Sequence, residues 1–296
     1  IAPDVVSCNA AISACEKGFR WRLALAVFES MLDLRVTPSA TTYSAAVSAC
    51  EKGSQWQPAL HLFHALPTLR VMPDVIVSSV AISACEKGGQ WQLGLSTFYS
   101  MPDLRIVPNL VSRSAAISAC EKGSQWERAV APFRSAVLSR EPLDVVACSA
   151  AISACEKGAQ WRLAMTLLQS MPGWRSQRSQ SAATHSRRAT WASTEDSRLH
   201  LEVVPSVISW NSAISACEKG FQWQSAITLL HLMPSTRIMP NFISLDAAIC
   251  ACMRASRWQH TLALLYSMLG LHVPPDVISC GAAINVCERA AQWRLL

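Results

Sequence analysis

One phrase constrains this chain more than anything else in it. Ala-Ile-Ser-Ala-Cys-Glu-Lys-Gly occurs at 11–18, 81–88, 116–123, 151–158 and 213–220, a close variant sits at 46–53, and weaker copies run over 248–255 and 283–290. The Cys within it falls at 15, 50, 85, 120, 155, 217, 252 and 287, so every spacing is 35 residues except one of 62. Self-similarity at a fixed period of this size is the signature of a repeat architecture, in which each unit buries its apolar face against the next. Cutting at the apolar residue after the recurrent Pro-Asp or Pro-Asn pair starts units at Val5, Ala40, Val75, Leu110, Val145, Val207, Phe242 and Val277. The array is expected to continue beyond both ends of the sequence.

Each unit reads as two helices. Val6 to Cys15 is apolar and small, with Ala10, Ala11, Ile12 and Ala14. Gly18, and its counterparts Gly53, Gly88, Gly123, Gly158 and Gly220, are expected to end this helix in the left-handed conformation that glycine adopts at little steric cost. A second helix begins near Trp21, with Leu25, Phe28 and Met31 as its apolar stripe, and Pro38 forbids its continuation. Pro102, Pro172 and Pro234 predict that some second helices stop earlier. No segment alternates as a strand does. Eight Trp residues, at 21, 56, 91, 126, 161, 223, 258 and 293, keep the same period and are expected to fill gaps between stacked pairs.

Composition excludes several classes. With 51% apolar and 16% charged residues the chain is too apolar for wholesale disorder. No stretch approaches the roughly 18 uninterrupted apolar residues of a membrane span. Twelve Cys in 296 residues fall short of a small disulfide scaffold, and no C-x-x-C occurs. The periodic Cys read as small buried hydrophobes, and 35-residue spacing supplies no local metal-ligand cluster. The seven His form no constellation. No nucleophile–base pair, paired carboxylate, phosphate loop or dinucleotide fingerprint is present, nor is the zinc deaminase signature. Neither a cofactor nor an enzymatic activity is expected.

A strict period of 35 fits neither the 34 of tetratricopeptide repeats, the 33 of ankyrin, nor the 40–47 of HEAT and armadillo. With Val-Val-Ser-Cys-Asn-Ala-Ala-Ile-Ser-Ala-Cys-Glu-Lys-Gly at 5–18, then Ala24-Leu25, Phe28, Met31 and Pro38, the chain resembles the pentatricopeptide repeat family. The Trp early in the second helix departs from that pattern, since the family more often has a smaller residue there. The resemblance implies an all-α fold, a right-handed α-solenoid superhelix of antiparallel helix-pair repeats. Repeats 1–5 would occupy 1–172 and repeats 6–8 would occupy 207–296, the last incomplete. A Ser/Arg-rich insertion at 173–206, expected to be a disordered loop, separates them.

The resemblance also implies single-stranded RNA binding in a chloroplast or mitochondrion, the chloroplast slightly preferred. RNA processing, stabilisation, splicing or editing would be the setting, with protein partners for the downstream step and no membrane. In the family the fifth and last residues of a unit read a base. Those pairs here are Asn9 with Ser39, Ser44 with Asp74, Ser79 with Asn109, Ser114 with Asp144, Asn211 with Asn241 and Asp246 with Asp276; Ser149 would pair with Ser206 across the insertion. The family's correspondence makes the first four units read 5′-C-G-A-G. Helix capping is the plainer alternative for these small polar residues. The second residue of each unit (Val6, Thr41, Ile76, Val111, Val146, Ile208, Ile243, Ile278) sandwiches bases in the family; ordinary interhelical packing is the alternative.

All six lysines occupy one slot, at 17, 52, 87, 122, 157 and 219, and Arg254 and Arg289 complete it. Such a row suits a phosphate backbone, although each Lys follows a Glu that offsets its charge. Seven phosphate contacts predict a log–log salt slope of roughly −5. Two competing readings stay open: a protein–protein scaffold, and a degenerate array with weak non-specific RNA binding.

Overall fold

A computed structural model of the chain describes residues 4–68, 72–138, 143–171, 204–270 and 273–289. The insertion up to residue 203, and Trp293, lie outside them. The described residues contain fifteen α-helices and no strand. They divide into two compact units, 1–136 and 137–296.

In the first unit the helices pair as α1 (Val5–Lys17) with α2 (Trp21–Asp33), α3 (Ala40–Lys52) with α4 (Trp56–Thr68) and α5 (Val75–Lys87) with α6 (Trp91–Ser100), and α7 (Leu110–Lys122) and α8 (Trp126–Leu138) follow in sequence. Each first helix packs on the first helix of the next pair, and α2, α4 and α6 each wedge between two first helices. The second unit follows the same rule: α9 (Val145–Lys157), α10 (Trp161–Ser170), α11 (Val207–Lys219), α12 (Trp223–Leu232) with a 3₁₀ turn at Met233–Thr236, α13 (Phe242–Arg254), α14 (Trp258–Gly270) and α15 (Val277–Arg289). Both α9 and α10 pack on α11, so the 62-residue gap leaves the stacking of repeats intact. As the prolines imply, α6, α10 and α12 are each ten residues long, where α2 has thirteen.

The first helices are the shared core. Ala46, Ala49, Cys50, Ala81, Ile82, Ala84, Cys85 and their counterparts in later repeats are fully buried. Burial of the thiols disfavours their charged form, pushing Cys50 up to about 11 and Cys85, Cys120, Cys155 and Cys217 up to about 12. These sulfurs pack; they are poor nucleophiles at neutral pH. On the second helix the buried stripe is Ala24, Phe28 and Met31, at i, i+4 and i+7. Leu25 is only partly buried beside it, a correction to the spacing of three.

The helix-ending glycines work by a different mechanism from the one expected. Gly18, Gly53, Gly88, Gly123, Gly158 and Gly220 have φ between −77° and −84°, open to any residue. The left-handed residue is the next one: Phe19 (φ 56°), Ser54 (55°), Gly89 (68°), Ser124 (55°), Ala159 (53°) and Phe221 (57°). The amides of Phe19 and Arg20 bond back to Glu16 and Cys15, closing a Schellman turn around that residue. What requires glycine is the Trp of the preceding repeat. A Cβ on Gly53 would lie 2.4 Å from Trp21, on Gly88 2.3 Å from Trp56, on Gly123 2.3 Å from Trp91, and on Gly220 2.2 Å from Trp161. The family-atypical Trp and the glycine are therefore one interlocking contact between repeats. Where Ala255 replaces the glycine, the Trp223 ring lies 4.9 Å from that of His260.

Candidate RNA interface

The last residue of each unit is the N-cap of the next first helix. Asp4, Ser39, Asp74, Asn109, Asp144, Ser206 and Asn241 have extended backbones, and each side chain accepts the N–H three residues on; Asp276 accepts from Ser279 in the same way. The capping alternative thus describes a contact that exists, worth about 1 kcal/mol per helix.

The fifth residues face these caps. Asn9 Nδ2 lies 3.4 Å from Ser39 Oγ and 3.2 Å from Thr41 Oγ1, while Thr42 Oγ1 donates to Asn9 Oδ1 at 2.5 Å. Ser79 Oγ sits 3.1 Å from Asn109 Oδ1, and Asn211 Nδ2 donates to Asn241 Oδ1 at 3.3 Å. Ser149 Oγ lies 3.1 Å from Ser206 Oγ and 2.9 Å from Ser209 Oγ. The insertion thus separates Ser149 and Ser206 in sequence and not in space. Ser44 and Asp74 make no bond to one another among the described residues, and Ser114 and Asp144 fall in different units. Gly281 offers no side chain. The fifth residues Ser79, Ser114, Ser149 and Asn211 are only 4–9% exposed, so the half-exposed caps are the accessible member of each pair. Asn211 Oδ1 is buried without a hydrogen-bond partner.

Ordinary interhelical packing does not account for the second residues. Val6, Ile76, Val111, Val146, Ile208 and Ile243 are 45–74% exposed, and Thr41 is exposed as well. The side chain of Ile278 lies outside the description. Second and fifth residues are three apart, which places them on one face of the helix. The cost of leaving six branched apolar side chains in water has no counterpart in the stability of the fold.

The cationic row is built differently from the expected open stripe. Lys52, Lys87 and Lys122 each pair with the Glu 36 residues before, on the preceding first helix: Lys52 with Glu16 at 2.9 Å, Lys87 with Glu51 at 2.6 Å and Lys122 with Glu86 at 2.9 Å, while Lys219 pairs with Glu156, 63 residues before it, at 3.0 Å across the insertion. Arg254 and Glu218 continue the ladder at 3.2 Å. Ser48 adds a hydrogen bond to Glu16 at 2.8 Å. Burial raises the Glu16 pKa, but the bonds from Lys52 and Ser48 outweigh it, leaving the carboxyl below its ordinary value. Burial prevails at Glu218, which lies above its ordinary value despite Arg254 and Lys219. Adjacency in sequence points to the Glu beside each Lys, whereas the bonded partner stands on the neighbouring first helix. The Glu one repeat back was equally visible in the period. Lys17, Lys157 and Arg289 are exposed.

Asp246 is the exception among fifth residues. Burial and the charge of Asp276 raise its carboxyl to about 6, with a hydrogen bond to Ser279 acting the other way. Among the described residues no group of three or more His, Cys, Asp or Glu could hold a metal ion, and no helix is long and apolar enough to cross a membrane.

Two family models match the chain: the PPR repeat family over residues 3–52 and the PPR repeat over residues 208–238. No curated protein sequence matches it. Among solved structures it resembles PPR10, a maize pentatricopeptide repeat protein, in complex with an 18-nt psaJ RNA element, at TM-score 0.51 and 15% identity over 100% of this chain and 44% of that one. It also resembles nuclear proteinaceous RNase P 2 of Arabidopsis thaliana, at TM-score 0.50 and 11% identity over 56% of this chain and 38% of that one. The chain thus spans less than half the length of either. Residues 3–52 and 208–238 thus match pentatricopeptide repeat models, and the helix-pair architecture of the chain is that of the solved pentatricopeptide repeat structure it resembles.

Proposed function

We propose that the chain binds single-stranded RNA, one base per repeat, through the paired fifth and last residues of its units. The observation that carries this reading is the exposed second residue. A β-branched apolar side chain stands in water on the helix face that also holds the fifth residue, repeat after repeat. Flat apolar partners stack on such side chains, and bases are the flat groups whose edges the adjacent Asn, Ser and Asp would bond. PPR10, whose fold the chain shares, is seen with RNA, which supports the same reading.

The bases assigned to the first four units are 5′-C-G-A-G. We place the activity in post-transcriptional RNA processing or stabilisation in an organelle, with repeats 1–5 and 6–8 forming the reading array on either side of the insertion. The chain acts as a binder, and any chemistry on the RNA belongs to protein partners. Lys17, Lys52, Lys87, Lys122, Lys157, Lys219, Arg254 and Arg289 contact phosphates while sharing their charge with the Glu ladder, so the salt slope is shallower than that of as many free cations.

The test is equilibrium binding of a labelled RNA containing CGAG, against its shuffled form and the matching DNA, over a salt series. The proposal expects CGAG to bind at least tenfold tighter than the other two. Equal binding of all three would leave a non-specific cationic clamp. No binding by helical, folded protein would turn attention to the scaffold reading.

A further inference from the structure

The first reading slot differs from the others in what stands behind its fifth residue. Asn9 is half-buried on α1. Opposite it are the cap of α3, Ser39, and the second and third residues of that unit, Thr41 and Thr42. Thr41 is exposed and Thr42 fully buried. The Thr42 hydroxyl oxygen accepts the Ser39 N–H at 3.0 Å within the capping box. Its own proton goes to Asn9 Oδ1 at 2.5 Å. That separation suits an O–H donor and is short for an N–H donor, so it fixes the polarity of the amide. Oδ1 is turned inward to Thr42, and Nδ2 outward, to Ser39 at 3.4 Å and Thr41 at 3.2 Å. A β-branched side chain is stiff at χ1, which keeps the Thr42 hydroxyl aimed at the amide. The third residues of the other units set no such polarity. Val77 and Ala147 carry no hydroxyl. Ser112 and Ser244 donate to the cap carbonyls of Asn109 and Asn241, at 2.9 and 2.7 Å. Ser209 meets Ser149 at 2.9 Å, and a hydroxyl partner rotates to donate or accept. Ser279 bonds Asp246, whose two oxygens are alike when ionised.

We propose that Thr42 sets the base preference of the first unit: by holding the oxygen of the Asn9 amide inward, it presents the nitrogen, a donor only, to the base. This step deepens the reading under Proposed function and rests on it. A base stacked on the exposed second residues Val6 and Thr41 brings its Watson–Crick edge to that nitrogen. The bonds Nδ2 makes to Ser39 and Thr41 lie at or beyond the long end of the N–H···O range, so a base acceptor can take their place. Cytosine has an unprotonated N3 on this edge, which accepts. Uracil has N3–H, which meets the amide protons donor to donor. The slot therefore selects cytosine over uracil. An amide free to turn over would accept from uracil as readily as it donates to cytosine. The discrimination thus resides in Thr42, a positioning residue that touches no base and acts through Asn9.

Two arms test the proposal on the whole chain. The first needs no RNA and follows the Asn9 side-chain amide by NMR, with isotope-labelled asparagine. In wild type and in T42S, which keeps the hydroxyl, the amide protons should show nuclear Overhauser contacts to the Thr41 side chain. In T42V both amide resonances should shift and that pattern should be lost. Amide protons of wild type lying against Thr42 and not Thr41 would overturn the proposal, as would an unchanged pattern in T42V. Valine and alanine already occupy this slot as Val77 and Ala147, so T42A takes the place of T42V if the urea midpoint shows T42V to be unfolded. The second arm compares RNAs that differ only at the base facing the first unit: cytosine, uracil, and pyrimidin-2-one, which keeps the N3 acceptor and lacks the amino group. Wild type and T42S should bind the cytosine RNA about fivefold tighter than the uracil RNA, the worth of one hydrogen bond. The pyrimidin-2-one RNA should bind like cytosine. In T42V the difference between cytosine and uracil should fall below about twofold. Full discrimination by T42V, or pyrimidin-2-one behaving as uracil, would overturn the assignment. Absence of binding to every RNA by folded protein would sink the reading under Proposed function and the base preference with it, while the first arm still decides whether Thr42 orients the amide.

Discussion

At the scale of single residues, glycine and tryptophan give the sharpest expectation. A Cβ at Gly53 or Gly88 would overlap the indole of the preceding repeat, so Gly53→Ala and Gly88→Ala should each cost about 1–3 kcal/mol, as overpacking does. Gly18 has nothing nearer than the Ala14 carbonyl oxygen at 3.4 Å, and Gly18→Ala should change the urea midpoint little. Equal effects at all three sites would contradict the interlock. The left-handed residue after each glycine gives the opposite sign. Ser54→Gly and Phe221→Gly should stabilise by about 1 kcal/mol by relieving a backbone conformation that L side chains disfavour. In the sequence, the glycine was legible as a helix end and its reason was not. The indole in contact with Gly53 or Gly88 lies 32 residues upstream, and local propensity carries no information about a contact at that distance.

At the scale of helices, the ladder between first helices and the exposed second residues make separable claims. Partly exposed ion pairs contribute little, so Lys52→Met should lower stability by about 0.5 kcal/mol. The Glu16 carboxyl lies below its ordinary 4.5, so the stability it contributes is present above that pH and is lost as pH falls through its folded value. Acid unfolding of Glu16→Gln should show a correspondingly smaller loss below about pH 4.5. Ile76→Ser and Val111→Ser should leave the urea midpoint within about 0.5 kcal/mol of wild type, as exposed substitutions do, while weakening RNA binding. A large loss of stability would make them packing residues after all. Helix number, order and bounds were readable from the period, the prolines and the caps, because each is set within a dozen residues. Which face of the first helix stays wet was not readable, since Val6 and Ile12 are equally apolar in sequence and differ only in what stacks against them.

At the scale of the whole chain, the central claim is a register: the fifth residue of one unit and the cap that begins the next act as one reading pair. The pairing of Ser149 with Ser206 across the insertion shows that this register follows spatial stacking rather than sequence distance. The candidate pairs were legible because the repeat fixes every position; their meaning came from resemblance to a family. The most direct test exchanges a reader for one that caps the helix equally well. Asn109 caps α7 by accepting the Ser112 N–H at 2.8 Å, and Asp caps as well as Asn, so Asn109→Asp should keep the fold and its stability. It turns the third unit from Ser with Asn into Ser with Asp, the combination assigned to guanine in units two and four. Binding of wild type and N109D to RNAs containing CGAG and CGGG decides the matter. A reversal of preference, with wild type favouring CGAG and the variant CGGG, is the predicted result. An unchanged preference in a variant that folds as stably as wild type would contradict the account.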